Sequence, residues 1–371
     1  MKKIYHLCFL TLVSACSQAP DRRFASVPPL GQELIPPEEE RATKEILELV
    51  ARGYSQPRPP KGPTGRIIHH KEHGCVHGEL EVLESAPQNL RHGVFSETRK
   101  FPTWLRLSNG SGERRHDSVP DGRGLAIKLL TVEGPKLAEE VHTQDFLLQS
   151  APNFFARDVV DYVKFMKQAT APGLKGVAEF VRDLNLANAA DRESLKILAA
   201  SADVPKSPLT ATYFSALPQR LGPHAAKFKA IPCPGWAKLD ASLGARAKKD
   251  FLKDVMGTYL RSRDACIELQ VQVQTDPELM PVENARVVWS PDLSPFVPLA
   301  RIVIPKQNFR TEKRKEFCEH LTFNPWHSIE AHRPLGGLNR VRKVVYERSQ
   351  GHRHKLNNQR SAEPVPGETH E

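Results

Sequence analysis

The chain has 371 residues, 39% of them hydrophobic, with 53 Lys and Arg against 43 Asp and Glu. That length holds one large domain or two ordinary ones, and the apolar share is enough to bury a core along most of it. The net charge of +10 points to acidic partners such as anionic lipid, nucleic acid or a ligand carrying carboxylates. No nucleic-acid-binding motif is present, so no nucleic acid is expected as a partner.

The chain opens "MKKIYHLCFLTLVSACSQAP". Two lysines, an apolar run from Ile4 to Val13 and small residues after it have the layout of a secretory signal. The run is about half of the ~20 residues that cross a bilayer. Its end, Val13 to Cys16, resembles the bacterial lipobox. The resemblance implies that residues 1–15 are a lipoprotein signal peptide and that Cys16 is the lipidated mature terminus. The protein is then an exported periplasmic lipoprotein, bound to a membrane through its N-terminal lipid. Ser17 is not the aspartate that retains lipoproteins at the inner membrane, which points to the outer one. The other reading is cleavage after Ala15 or Ala19 and a free soluble protein.

Residues 16–63 read as a tether rich in Pro and polar residues. It contains a short helix in "EEERATKEILELVARGY", where Ala42, Ile46, Leu47 and Val50 fall near helical spacing. The main domain spans 64–355, and 356–371 form a polar tail expected to be disordered. Cys75, Cys233, Cys266 and Cys318 remain after the signal; three pairings are open to them, as is burial as free thiols.

Within the domain, "VHGELEVLE", "TWLRLSNGS" and "RGLAIKLLTVEG" read as strands. "CIELQVQVQTD" alternates strictly, with Ile267, Leu269, Val271 and Val273 on one face. "ARVVWS" and "PLARIVIP" read as two more strands. Helical patterns lie between these sets, in "FFARDVVDYVKFMKQA", "GLKGVAEFVRDLN", "RESLKILAASA" and "KKDFLKDVMGTYLRS", and a last one is "LNRVRKVVYERSQ". The order implies an α+β protein with an antiparallel β-barrel core and surrounding helices.

"RIIHHKEHGCVH", Arg66 to His77, holds four histidines and a cysteine. A zinc site needs three or four converging ligands. His69, His73, Cys75 and His77 could supply them, but their spacing matches no usual zinc pattern. On its own the segment reads as a polar strand and turn with partly exposed histidines, His70, His73 and His77 being surface or turn residues.

Four ordered blocks give it another meaning. "RIIHHKEHGCVHGELEV", "WLRLSNGSGERRHDSVPDGRGLAIKLLT", "APNFFARDVVDYVKFMKQ" and "FNPWHSIEAHRPLGGLNRVRKVVY" resemble, in that order, the successive motifs of the haem catalase superfamily. Within it the chain is similar to the small catalase-related peroxidases, and the resemblance runs from about Arg66 to Arg353. It implies haem b as cofactor, with Tyr346 as the proximal iron ligand. Arg342, one turn before Tyr346 on the same helix face, favours the phenolate over the phenol, whose ordinary pKa is near ~10. His69 matches the distal acid/base. Arg66, Arg106 and Arg353 match arginines that pair with haem propionates, and Phe155 and Tyr162 match residues of the haem pocket. The family's distal asparagine is replaced by Ser150, beside Gln149, which implies looser positioning of peroxide.

The implied function is reduction of hydrogen peroxide or of organic and lipid hydroperoxides, completed by a small electron donor, with dismutation the weaker activity. Rearrangement of fatty-acid hydroperoxides is the alternative on the same haem. Ile68 before the distal histidine, where such isomerases carry threonine, counts against it. A non-catalytic haem-binding barrel is the third reading. The assembly is left open, a homodimer included.

Overall fold

A computed structural model describes residues 27–55, 63–138, 142–170, 180–236, 248–359 and 363–370. Strands β1 (Glu72–Val82), β2 (Lys100–Asn109), β3 (Arg123–Leu129) and β4 (Gln144–Gln149) form an antiparallel meander. The second half is β5 (Tyr213–Phe214), β6 (Gln219–Leu221), β7 (His224–Pro232), β8 (Ala265–Val273) and β9 (Val297–Ile304). β9 pairs with β1, and β5 pairs with both β4 and β7, so eight strands close into a ring with β6 as a flank on β7. This is the antiparallel barrel expected from the sequence.

Period-two alternation decides what fills it. Leu105 and Leu107 on β2, Leu125 and Ile127 on β3, and Phe146 and Leu148 on β4 all enter one buried cluster with Ile267, Leu269 and Val271 of β8. Their sequence neighbours therefore stand on the outer face. "ARVVWS" is not a strand: residues 285–290 take no ladder pairing. The segment lies over the outside of β7 and β8 instead. Lys227 sits 4.9 Å from the ring centroid of Trp289, and Gln272 donates to the carbonyls of Trp289 and Ser294 at 3.1 and 2.8 Å. Its polar groups are matched by side chains and by the main chain of residues 154 and 157 rather than by a neighbouring strand.

The helices are α1 (Glu39–Ser55), α2 (Val159–Ala169), α3 (Ala189–Ser201), α4 (Phe251–Leu260), α5 (Glu312–His320) and α6 (Gly337–Asn357). Asp158, Asn188 and Thr311 cap α2, α3 and α5 by accepting from main-chain N–H groups one turn on. Faces of α1, α2, α3 and α6 share a second apolar cluster, including Ile46, Val50, Val163, Ile197 and Val341. Most of "GLKGVAEFVRDLN" lies outside the described residues, as does Cys16.

Both ends of the chain fold back on this body. The helix expected within a tether is docked on α6. Arg340 of α6 bonds Glu39 through Nε and Nη2, at 2.7 Å each. It also reaches Glu33 at 2.6 Å and Glu283 at 3.0 Å. Glu33 and Glu283 in turn accept from the main-chain N–H groups of Gly336 and Gly337 at the start of α6, where the helix dipole favours negative charge. The tail read as disordered packs as well. The His370 ring stacks on Phe317 at 3.8 Å, and Glu363 lies 3.6 Å from Lys128. The cysteines resolve into Cys75–Cys318 and Cys233–Cys266.

Arg340 is flanked by three carboxylates whose side chains are no more than 12% exposed. Arg340→Met should therefore destabilise the fold by about 3–5 kcal/mol, the cost of stripping a counterion from buried charges. A denaturant midpoint indistinguishable from wild type would show that the clasp contributes nothing.

Candidate active site

Outward-facing residues of β2, β3 and β4 make the floor of a cavity of about 390 Å³, a size suited to a bound organic ligand. Arg106 stands opposite Ala126, Ser108 opposite Gly124, and these stand opposite Leu147 and Gln149 of β4. The centre of the floor is therefore a column of small residues. The helical layer makes the roof: Val50 and Tyr54 of α1, Tyr162 and Phe165 of α2, Ile197 of α3, and a face of α6. Val50 and Tyr54 were not among the expected site residues. The α1 pattern marks an apolar face but not what that face covers.

His69 enters from the loop before β1. Its φ of 58° is the left-handed region that costs a non-glycine residue energy and recurs at functional positions. A side chain on Gly124 would place its Cβ 2.6 Å from His69 Nδ1, so the missing Cβ there makes room for the ring. Nδ1 lies 2.8 Å from the Asn109 carbonyl and 3.1 Å from Ser108 Oγ. A carbonyl oxygen only accepts, so Nδ1 carries the proton and Nε2 keeps its lone pair. Burial first, then Arg106, brings the His69 pKa down to about 4, and the ring is neutral at ordinary pH.

The neighbouring histidine differs from expectation. His73 is 1% exposed rather than at the surface. Its Nε2 bonds Asn109 Oδ1 at 2.6 Å, and Arg123 donates to the same oxygen. Burial and Arg123 hold its pKa at about 3. The strand was expected to be open on that side, but Lys71, Asp117 and the N-terminus of α4 close it through Lys71–Asp117 at 2.6 Å and Leu252 N–H to Asp117 at 2.9 Å. Cys75 is half of a disulfide and has no thiolate to offer a zinc ion.

On α6, Leu338, Val341, Arg342, Val345, Tyr346, Ser349 and Arg353 all line the cavity, the spacing of one helix face. Arg342 Nη2 donates to the Tyr346 hydroxyl at 3.2 Å, and Nη1 is fixed on Asn339 Oδ1 at 3.0 Å. Phe155 packs against Phe165 at 4.9 Å, and Tyr162 stacks on Phe165 at 5.6 Å. Burial, then the proximity of Tyr346, drives the Tyr162 pKa upward, so its hydroxyl stays protonated.

At one end of the cavity Arg66, Arg106 and Arg353 gather. Arg66 bonds Glu319 Oε2 at 3.1 Å and the carbonyls of Cys318 and Leu321. Arg353 bonds the Glu319 carbonyl at 2.6 Å. Glu319 is thus the carboxylate bonded to the cluster; Glu72, which acts on Arg106 more strongly than Glu319 does, is itself paired with Lys253 at 3.0 Å. Burial and then Arg66 press the Arg106 pKa down to about 9, and the same two causes bring Arg353 to about 10. Guanidinium stays charged at neutral pH, so this pressure is a demand for an anion. Arg106 Nε, buried, has no hydrogen-bond partner among the described residues.

Ser150 lines the cavity but does not offer its hydroxyl to it. The O–H donates to the Ser201 carbonyl at 3.0 Å, and the oxygen accepts from Arg123 N–H at 3.0 Å. Ser150, expected to position peroxide, here ties β3 to the end of α3. Gln149 likewise turns its amide onto the Asn153 carbonyl at 2.9 Å. A hydroxyl on a short arm reaches the nearest main chain before it reaches the cavity.

The catalase family model matches residues 62–180, which carry the His69 loop, the cavity floor and α2. The fold is similar to catalase A from Saccharomyces cerevisiae, with a TM-score of 0.61 and 17% identity over 80% of this chain and 63% of that one. It is also similar to a fungal catalase at 0.61, with 16% identity over 93% of this chain and 69% of the other. A bacterial catalase aligns at 0.59, again with 16% identity, over 93% and 67%. At such identities the likeness is one of fold, and the chain spans about two thirds of the length of these catalases. No curated protein matches the sequence. The chain is thus similar to catalases in two respects: a catalase-family segment supplies the cavity floor, and the barrel around it is the fold these catalases share.

Proposed function

We propose that this chain is a haem-dependent enzyme that reduces hydrogen peroxide or organic hydroperoxides with a small electron donor, a peroxidase of the catalase-related kind. The observation that carries the reading is the Arg342–Tyr346 pair on α6, which shares one cavity with the neutral imidazole of His69. Haem b fits the residues present. Its two carboxylates answer the excess of Arg66, Arg106 and Arg353 over Glu319 and the unpartnered Nε of Arg106. The small-residue floor of Gly124 and Ala126 suits a flat ring.

When bound, haem supplies a redox-active iron that takes two oxidising equivalents from a peroxide. Tyr346 would hold the iron, and the Arg342 guanidinium on its oxygen suits an anionic ligand. The three arginines would hold the carboxylate edge. His69 moves the proton: Nε2 accepts it from the peroxide and returns it to the departing oxygen. The Asn109 carbonyl keeps Nδ1 protonated throughout. Ser150 and Gln149 are both turned onto main-chain carbonyls, so His69 works without their help. This supports donor-assisted reduction over fast dismutation. Two disulfides support an exported protein, since such bonds persist in oxidising compartments, and agree with a lipid on Cys16.

Titration with ferric haem, followed by absorption, tests the reading directly. Uptake should give a spectrum that changes on Tyr346→Phe; an identical spectrum from the variant would remove Tyr346 as ligand. His69→Ala should lower peroxide turnover by about 10²–10⁴-fold, the usual contribution of a positioned acid/base, while haem uptake persists. Turnover within a few-fold of wild type would exclude His69 from the chemistry. The wild-type acid limb should lie near pH 4, where His69 gains its proton, because the neutral ring is the active form. A limb near 6.5 would mean a solvated imidazole.

A further inference from the structure

Nothing in the reaction above uses the Cys75–Cys318 disulfide, yet it lies at the arginine end of the cavity. Cys75 stands directly opposite Arg106 in the β1–β2 ladder. With Leu105 and Leu107 pointing into the barrel, both stand on its outer face. The other half-cystine is in the last turn of α5. Its carbonyl accepts from Arg66 Nη2 at 3.2 Å. The next residue, Glu319, accepts from Arg66 at 3.1 Å through its carboxylate and from Arg353 at 2.6 Å through its carbonyl. One covalent bond thus joins the strand position beside Arg106 to the helix end that holds Arg66 and Arg353.

The helix needs such a tie. α5 has nine residues, of which Arg314, Phe317 and Cys318 are buried, and a helix of that length is marginal without tertiary support. Arg314 Nη1 donates to the Cys75 carbonyl at 3.1 Å, so its further tie runs to the same strand residue. Opposing both is the mutual repulsion of three guanidinium groups out of water.

We propose that Cys75–Cys318 is a positioning clamp that sets the spacing of Arg66, Arg106 and Arg353, and through it the affinity for the carboxylate edge of the porphyrin. The inference rests on the haem reading above and adds to it a covalent determinant. Without the bond, α5 relaxes away from β1 and the guanidinium groups separate. The loss falls on carboxylate pairing, because Arg66 and Arg353 are bonded to α5, whereas His69 is held by Ser108 and Asn109 and Tyr346 by Arg342.

The experiment titrates the full chain with ferric protoporphyrin IX and, separately, with its dimethyl ester, which has no free carboxylates. The paired variant Cys75→Ser, Cys318→Ser should bind the diacid about tenfold more weakly, the size of one charge-assisted hydrogen bond, and the ester as wild type does. Cys75→Ala with Cys318→Ala, which buries no hydroxyl, should show the same diacid-selective loss and stands in if the serine pair does not fold. Cys233→Ser with Cys266→Ser should leave both affinities unchanged. Equal weakening of diacid and ester, or no weakening of either, overturns the clamp. So does a diacid-selective loss on breaking the other disulfide. A wild-type chain that takes up neither porphyrin defeats the haem reading itself, and the clamp with it.

Discussion

Three guanidinium groups gathered beside Glu319 with little access to water repel one another, and an anion between them relieves that repulsion. The cavity of this protein is organised around that cluster. Arg106 projects from the barrel wall, Arg66 from the loop leading to His69, and Arg353 from the far end of the last helix. Each element thereby delivers one guanidinium to the same end of the cavity. The same loop and the same helix present an imidazole and a phenol farther along the cavity. The charged end of the cavity and the imidazole and phenol farther along it are carried by one set of elements.

The last helix is the mechanical axis of that arrangement. Its first turn is gripped by Glu33, Glu39 and Glu283 around Arg340, its middle carries Arg342 and Tyr346, and Arg353 stands near its end, bonded to Glu319. The N-terminal segment that supplies Glu33 and Glu39 also supplies Val50 and Tyr54 to the cavity roof. A stretch that composition alone marks as a leader to the domain is therefore part of the site's wall.

On the opposite wall, preorganisation comes from the main chain more than from side chains. The Asn109 carbonyl sets the tautomer of His69, Gly124 leaves room for its ring, and a left-handed backbone aims it. Behind it, His73, Asn109 and Arg123 form a buried polar network. Ser150 and Gln149 are spent on main-chain carbonyls, whereas His69 keeps the lone pair on Nε2.

Much of this was legible in the sequence, and the boundary has a physical basis. Strict alternation in "CIELQVQVQTD" and helical spacing in "LNRVRKVVYERSQ" report local periodicity, which one segment carries alone; both elements form as read. The spacing of Arg342 and Tyr346 likewise fixes a shared helix face whatever surrounds it. What a segment packs against is not a local property. The burial of His73, the docking of α1 and of the tail, the choice among disulfide pairings and the direction of the Ser150 hydroxyl each depend on residues far away in the chain. "ARVVWS" has the apolar content of a strand, yet the ladder beside it is already complete, and it covers the barrel instead. The order of residues determined the elements and the side chains able to do chemistry; only closure of the barrel and packing of helices on its outer face decided which of them meet.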